Sequence, residues 1–172
     1  GVAAVYITYF PDLAMPGAAD EIGLFSTLAV EKGVRRLVLL SGRGEEEAQL
    51  SEQALQNSGA DWTILRVSWF SQNFSESFLL DSVLSGTIAL PVGDETEPFI
   101  DVEDIAEVAV TVLSEQGHIG QLYELTGPRL LTFTEVTEEI ALASGRNIHY
   151  LQITNEQFIT GLEQENLPVE FE

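Results

Sequence analysis

The stretch Asp61–Phe74 reads DWTILRVSWFSQNF. It sets a lone Arg66 at the end of an apolar run, then two aromatics, Trp69 and Phe70, and an amide at Asn73. A guanidinium held inward can grip a carboxylate with two parallel bonds, and the aromatic turn beyond it can shape a small-molecule pocket. Two other segments carry comparable groups. Tyr9-Phe10-Pro11 ends the apolar run Val2–Phe10, and Ser41-Gly42 ends the run VRRLVLLS. Between them, the three segments offer aromatic surface, hydroxyls and backbone amides. The plainer alternative is that they are ordinary loops with core aromatics.

Other chemistry is thinly represented. His118 and His149 stand far apart with no ligand-type spacing, so no metal site is expected. There are no cysteines, which removes disulfides, thiolate catalysis and Cys-ligated zinc. Asp101 and Asp104 are two carboxylates among 28 Asp and Glu, and read first as helix-capping groups. GRGEEE has two glycines but no phosphate-loop lysine, and its carboxylates repel phosphate.

The formal net charge of the 172 residues is -21, with seven Lys and Arg. So acidic a chain repels nucleic-acid phosphates and anionic lipid heads, so neither is an expected partner. No apolar run reaches the roughly 18 residues of a membrane span, and the start has no basic segment of a secretion signal. Together with the missing cysteines this fits a cytoplasmic setting. The chain opens at Gly1 and enters a strand-like run at once, as expected of the later part of a longer polypeptide.

The elements that must position these groups follow from periodicity. Val2–Phe10 is a β-rich run closed by Pro11. Leu24 and Leu28 mark a helix that Gly33 stops. Arg36–Leu40 is a second strand, Glu45–Asn57 a helix with an acidic first turn, and Thr63–Arg66 a third strand. Strand, helix, strand, helix, strand with short connections predicts neighbouring parallel strands under covering helices. Ser71–Ser85 reads as a helix ended by Gly86, and Thr87–Leu90 as a short strand. EPFIDVEDIAEVAVTVLSEQG is a short extended piece running into a helix with Asp101 as its cap, and GQLYELTG a strand. A helix capped by Thr132 or Thr134 runs to Gly145, followed by the strand NIHYLQIT and a final helix, NEQFITGLEQE.

In an open parallel sheet, ligands bind beyond the carboxyl ends of the strands. Those ends carry Tyr9, Phe10 and Pro11, then Ser41 and Gly42, then Val67, Ser68, Trp69 and Phe70. The set suits a flat ring such as nicotinamide or adenine.

Four blocks, GVRRLVLLSG, SGADWTILRVSWFSQNF, EPFIDVEDIAEVAVTVL and GQLYELTGPRLLTFTEVTEEIALASGR, stand in this order. Together they resemble the atypical short-chain dehydrogenase/reductase superfamily, closest to its NmrA-like and quinone-oxidoreductase-like branch, over nearly the whole chain. The resemblance implies a Rossmann-like, doubly wound parallel sheet that binds NADP or NAD, with a small α/β substrate-side subdomain. On that pattern residues 1–86 are the later part of the dinucleotide-binding domain, and residues 87–172 the smaller subdomain, together one compact unit. Val2–Phe10, LVLLSG and ILRVSWFSQNF then resemble the fourth, fifth and sixth strands. Tyr9, Phe10, Pro11, Ser41, Gly42, Val67, Ser68, Trp69 and Phe70 fall to the cofactor. Trp69, Phe70 and Asn73 fall to the substrate pocket. Ser41 matches a serine that the family often has near the nicotinamide.

Two departures shape the functional expectation. The Gly-rich GxxGxxG turn, which seats a pyrophosphate on a helix N-terminus, has no match in this chain. The Tyr-x-x-x-Lys pair is absent too: Lys32 is the only lysine and residue 28 is Leu. Hydride transfer to a quinone needs less acid–base help than alcohol oxidation. The expectation is therefore an NAD(P)H-dependent oxidoreductase acting on a quinone or similar small carbonyl compound, with NADP favoured. The alternative is a non-enzymatic NAD(P)-sensing protein. A homodimer or a partner protein is open in either case. Arg66 is expected to be architectural, paired with Asp101 or Asp104.

Overall fold

The computed structural model describes residues 1–164. In chain order the elements are β1 (Ala4–Ile7), α1 (Ala18–Glu31), β2 (Arg36–Gly42), α2 (Ala48–Gln56), β3 (Asp61–Val67), α3 (Leu80–Ser85), β4 (Thr87–Leu90), β5 (Thr96–Glu97), α4 (Val102–Ser114), β6 (Gln121–Leu125), β7 (Leu131–Thr132), α5 (Phe133–Ser144), β8 (His149–Gln152) and α6 (Asn155–Gln164). The last residue of the predicted final helix, Glu165, lies outside the described residues.

Two compact units share these elements. Residues 1–68 and 100–126 form the first, and residues 69–99 and 127–172 the second. The division expected at residues 86 and 87 is therefore corrected. The chain leaves the first unit at Trp69 and returns to it with α4 and β6. The family pattern places GQLYELTG within residues 87–172, in the smaller subdomain, whereas β6 pairs with β3 in the first unit. A strand joins whichever edge offers free backbone groups, and here β3 offers one.

The first unit is a four-stranded parallel sheet in the order β1-β2-β3-β6. Its central strands are near-continuous apolar runs because both faces are covered. Leu37, Leu39 and Ile64 turn to one face, against Ile22 and Ala29 of α1 and Ala48 and Leu55 of α2. Val38 and Leu65 turn to the other, against Ala109 and Val112 of α4. Each of the Leu, Ile and Val side chains among these, fully buried, contributes about 1.5–3 kcal/mol of transfer free energy. Helices α1 and α2 pack against each other at Gly23 and Ala54. Arg36 ties the sheet to the end of α4, donating to the carbonyls of Leu113 at 2.9 Å and Glu115 at 2.7 Å.

The second unit pairs β4 with β8 in parallel and β5 with β7 antiparallel. Its core is Phe74, Leu79, Ile88, Leu90, Phe99, Phe133 and Ile148 with their neighbours. The helix predicted over Ser71–Ser85 is instead a short 3₁₀ turn, Ser71–Phe74, followed by α3. Five serines and an asparagine compete there for backbone bonds, which breaks a helix into turns. Helix α5 starts at a reciprocal capping box between Thr132 and Glu135, so Thr132 and not Thr134 is the cap. At Gly127 a Cβ would stand 1.8 Å from the Phe99 carbonyl oxygen, so only glycine fits that crossing.

Candidate functional site

The carboxyl ends of β2 and β3 lie side by side, with the last pairs Ser41↔Arg66 and Gly42↔Val67, and β1 ends beside them at Ile7, level with Leu39. Ladder bonds continue past the last pairs. The Arg43 amide donates to Val67 at 2.9 Å, and the Ser68 amide to Leu125 at 3.2 Å. Val67 and Ser68 are buried, and Gly42 is half-buried.

Beneath this edge sits a polar tie that the sequence reading missed. Glu52 of α2 is 2 % exposed. Arg66 binds it with two prongs, Nε to Oε1 at 2.7 Å and Nη2 to Oε2 at 2.6 Å. The Ser41 hydroxyl donates to Oε1 as well, at 2.6 Å. Glu124 of β6 stands 3.8 Å from Arg66 Nη1. The hydrogen bond to Glu52 holds the guanidinium more firmly protonated than usual, against the opposing effect of its own desolvation. Helix phasing explains the placement. Ala48, Glu52 and Leu55 recur on the buried face of α2, so Glu52 must point at the sheet.

This corrects two expectations. Arg66 is architectural but pairs with Glu52 and Glu124, not with Asp101 or Asp104. Asp101 is the N-cap of α4, accepting from the Glu103 amide at 2.8 Å, and Asp104 is exposed on the same first turn. Ser41, which the resemblance places near the nicotinamide, is buried with its hydroxyl committed to Glu52. It supports the edge from below and offers no free O–H above it.

Around the edge, the Tyr9 hydroxyl donates to Glu21 of α1 at 3.0 Å. Partial burial, then that bond and the charge of Glu21, hold the phenol above its ordinary value. Phe10 is 91 % exposed, and the Phe10–Pro11 peptide is cis. A cleft of about 330 Å³ runs along β1 and α1 between Val5, Tyr9, Glu21, Ile22 and Phe25. The carboxylate of Glu45 lies over Gly42, where a Cβ would stand 2.0 Å from its Oε2. Burial, then the charges of Asp12 and Glu47, push Glu45 above the usual carboxylate range. Glu45 escaped the sequence reading because it was placed inside a helix that begins only at Ala48.

Trp69, Phe70 and Asn73 belong to the second unit. The Trp69 ring meets Phe78, Phe99 and Phe133 edge-on, with centroids 5.8, 6.5 and 5.2 Å away, and stays 36 % exposed. Such edge-to-face contacts hold the indole firmly while one side stays open. Its amide donates to Glu97 at 3.3 Å. Phe70 caps the 3₁₀ turn that carries Asn73. An open apolar groove of about 390 Å³ in this unit is lined by Phe74, Val83, Val136, Ile140 and Arg146 among others, and takes in none of these three.

No protein-family model matches the chain. It is 32% identical to prestalk A differentiation protein A of Dictyostelium discoideum over 160 residues, covering 92% of this chain and 52% of that protein. It is 34% identical to agroclavine dehydrogenase of Claviceps fusiformis over 178 aligned positions, covering 99% and 62%. The chain thus spans between half and two thirds of the length of these relatives. Among solved structures, the NADPH-dependent quinone oxidoreductase of Escherichia coli in complex with NADPH overlays with a TM-score of 0.78 at 25% identity, covering 95% of this chain and 59% of that one.

Proposed function

We propose that this chain, which belongs to the atypical short-chain dehydrogenase/reductase superfamily in its NmrA-like and quinone-oxidoreductase-like branch, serves an NAD(P)H-dependent oxidoreductase. Its substrate class is a quinone or similar small carbonyl compound, and NADP(H) is the favoured cofactor. The observation that carries this reading is the likeness of its parallel sheet to that of the quinone oxidoreductase solved with NADPH. Nothing in the geometry or among the relatives favours the alternative, a non-enzymatic sensor.

The groups at the strand ends fit the uncharged end of a dinucleotide better than its phosphates. The Glu45 carboxyl fills the place of a side chain over Gly42, and Val67 and Ser68 close the floor beside it. Asp12 and Glu47 make the rim beside Glu45 anionic, which repels a pyrophosphate. We assign Tyr9, Phe10, Pro11, Gly42, Val67 and Ser68 to the nicotinamide side, with Ser41 acting from beneath. Trp69, Phe70 and Asn73 are assigned to the substrate. The bound nicotinamide supplies a hydride; the residues here orient, exclude water and hold charge. The carboxyl of Glu45 is the group nearest the strand ends that burial biases toward keeping a proton. Association with a second copy or a partner protein is assigned to the exposed Leu24, Phe25 and Leu28 of α1.

The test is turnover. The protein, expressed with any residues its gene encodes beyond this chain, should oxidise NADPH in the presence of menadione. Absence of turnover across a panel of small quinones and carbonyl compounds, by a protein that binds NADPH, would overturn the substrate class. Absence of NADPH binding would overturn the reading as a whole.

A further inference from the structure

We propose that Glu52 is a positioning residue for hydride transfer, acting through Ser41 and Arg66; the proposal rests on the nicotinamide lying at the ends of β2 and β3. Ser41 and Arg66 face each other across the two strands, and the next pair in register is Gly42 and Val67, the last before the loops. One carboxylate grips both members of the preceding pair from α2, with three bonds of 2.6 to 2.7 Å. The Arg43 amide locks the step beyond onto the Val67 carbonyl. The two strand ends are therefore fixed against each other from one point, beneath the floor we assign to the ring.

Stability does not explain this arrangement. Buried ion pairs are weak stabilisers, and apolar residues of similar volume commonly replace them without loss. What the tie adds is direction. A two-pronged charged bond has one good geometry, whereas an apolar contact is non-directional. Hydride transfer is sensitive to such placement, because a misplacement of about 1 Å in the reacting groups costs about 100-fold in rate. Glu52 touches neither cofactor nor substrate; it sets the height and spacing of Gly42 and Val67.

The experiment compares the parent with Glu52→Leu/Arg66→Met, which replaces the tie by apolar side chains, and with Glu52→Asp. The aspartate keeps the charge but cannot reach Ser41 and Arg66 together. NADPH affinity is read by fluorescence, turnover with menadione, and the primary isotope effect with NADPH deuterated at the transferred position. The expected result is affinity within about threefold of the parent, turnover down about 10-fold or more, and a larger isotope effect. A merely structural role lowers the folded fraction and leaves the isotope effect unchanged. Parent-like turnover in either folded variant, or a fall with an unchanged isotope effect, overturns the proposal. If the double variant fails to fold, the aspartate variant decides alone. A parent that binds no NADPH counts against the cofactor reading instead, and is visible before any variant is made.

Discussion

Two arginine–glutamate pairs in this molecule have the same chemistry and nearly the same length. Arg66 meets Glu52 at 2.6 Å, and Arg129 meets Glu139 at 2.7 Å. Their surroundings differ. The Glu52 side chain is 3 % exposed and Arg66 23 %, against 59 % and 47 % for Arg129 and Glu139. Water can replace either partner of the second pair at almost no cost. It cannot reach Glu52. Distance alone therefore says little about what an ion pair does for a fold, and the burial of its less mobile partner says most.

The largest expected effect is at Arg66. Arg66→Leu strands a buried carboxylate and should lower stability by about 3–5 kcal/mol in urea unfolding. Glu52→Leu/Arg66→Met should recover most of that loss. If the single and double variants unfold alike, the comparison fails. A smaller effect belongs to Thr132, whose hydroxyl accepts from the Glu135 amide at 3.1 Å. Thr132→Ala should cost about 1 kcal/mol. Glu135 sharpens the contrast, since a backbone bond gives an exposed carboxylate a role its charge alone would not. The Thr132 amide and hydroxyl hold it below the usual carboxylate range. Its stabilisation is thus present above its unfolded value and lost as pH falls through the lowered folded one. Glu135→Gln should flatten the acid limb of the stability profile.

Glu45 has the opposite sign. Its folded value is raised, so its contribution is fully present below its unfolded value and lost as pH rises through the folded one. Glu45→Gln should leave stability unchanged in acid and raise it slightly at neutral pH, measured as melting temperature against pH. The smallest effect is at Arg129. Arg129→Ala should change stability by less than about 0.5 kcal/mol, and added salt should shrink even that. A larger loss would show that exposure is a poor guide here.

Much of the first unit was legible because its signals are local. Apolar runs at strand length, separated by helix-period segments, specified three neighbouring parallel strands, and β1, β2 and β3 pair that way. The Thr132 cap was legible as one of two, since a threonine three residues before a glutamate satisfies its own helix start. What escaped depends on residues far apart. The partner of Arg66 was sought in the acidic segment 101–104, where carboxylates are conspicuous. The phase of α2 instead turns Glu52 inward, and that was legible only once Ala48 and Leu55 were read as its inner face. The place of β6 was hidden for another reason. QLYEL is half exposed and alternates weakly, so its pattern suits any edge, and only the free side of β3 decides.

The exchange of segments between the two units sets the order in which this chain can fold. Thr63 finds its sheet partner at Gln121, after the whole stretch 69–99 has been made. Until then β3 has one unsatisfied flank, and α4 is not there to cover Val38 and Leu65. A nascent chain stopped near residue 99 would display that flank as a template for foreign strands. Closure of so distant a pairing is slow compared with helix formation. The sheet of the first unit is consequently finished late in synthesis, and the interval before β6 emerges is when a chaperone has most to offer.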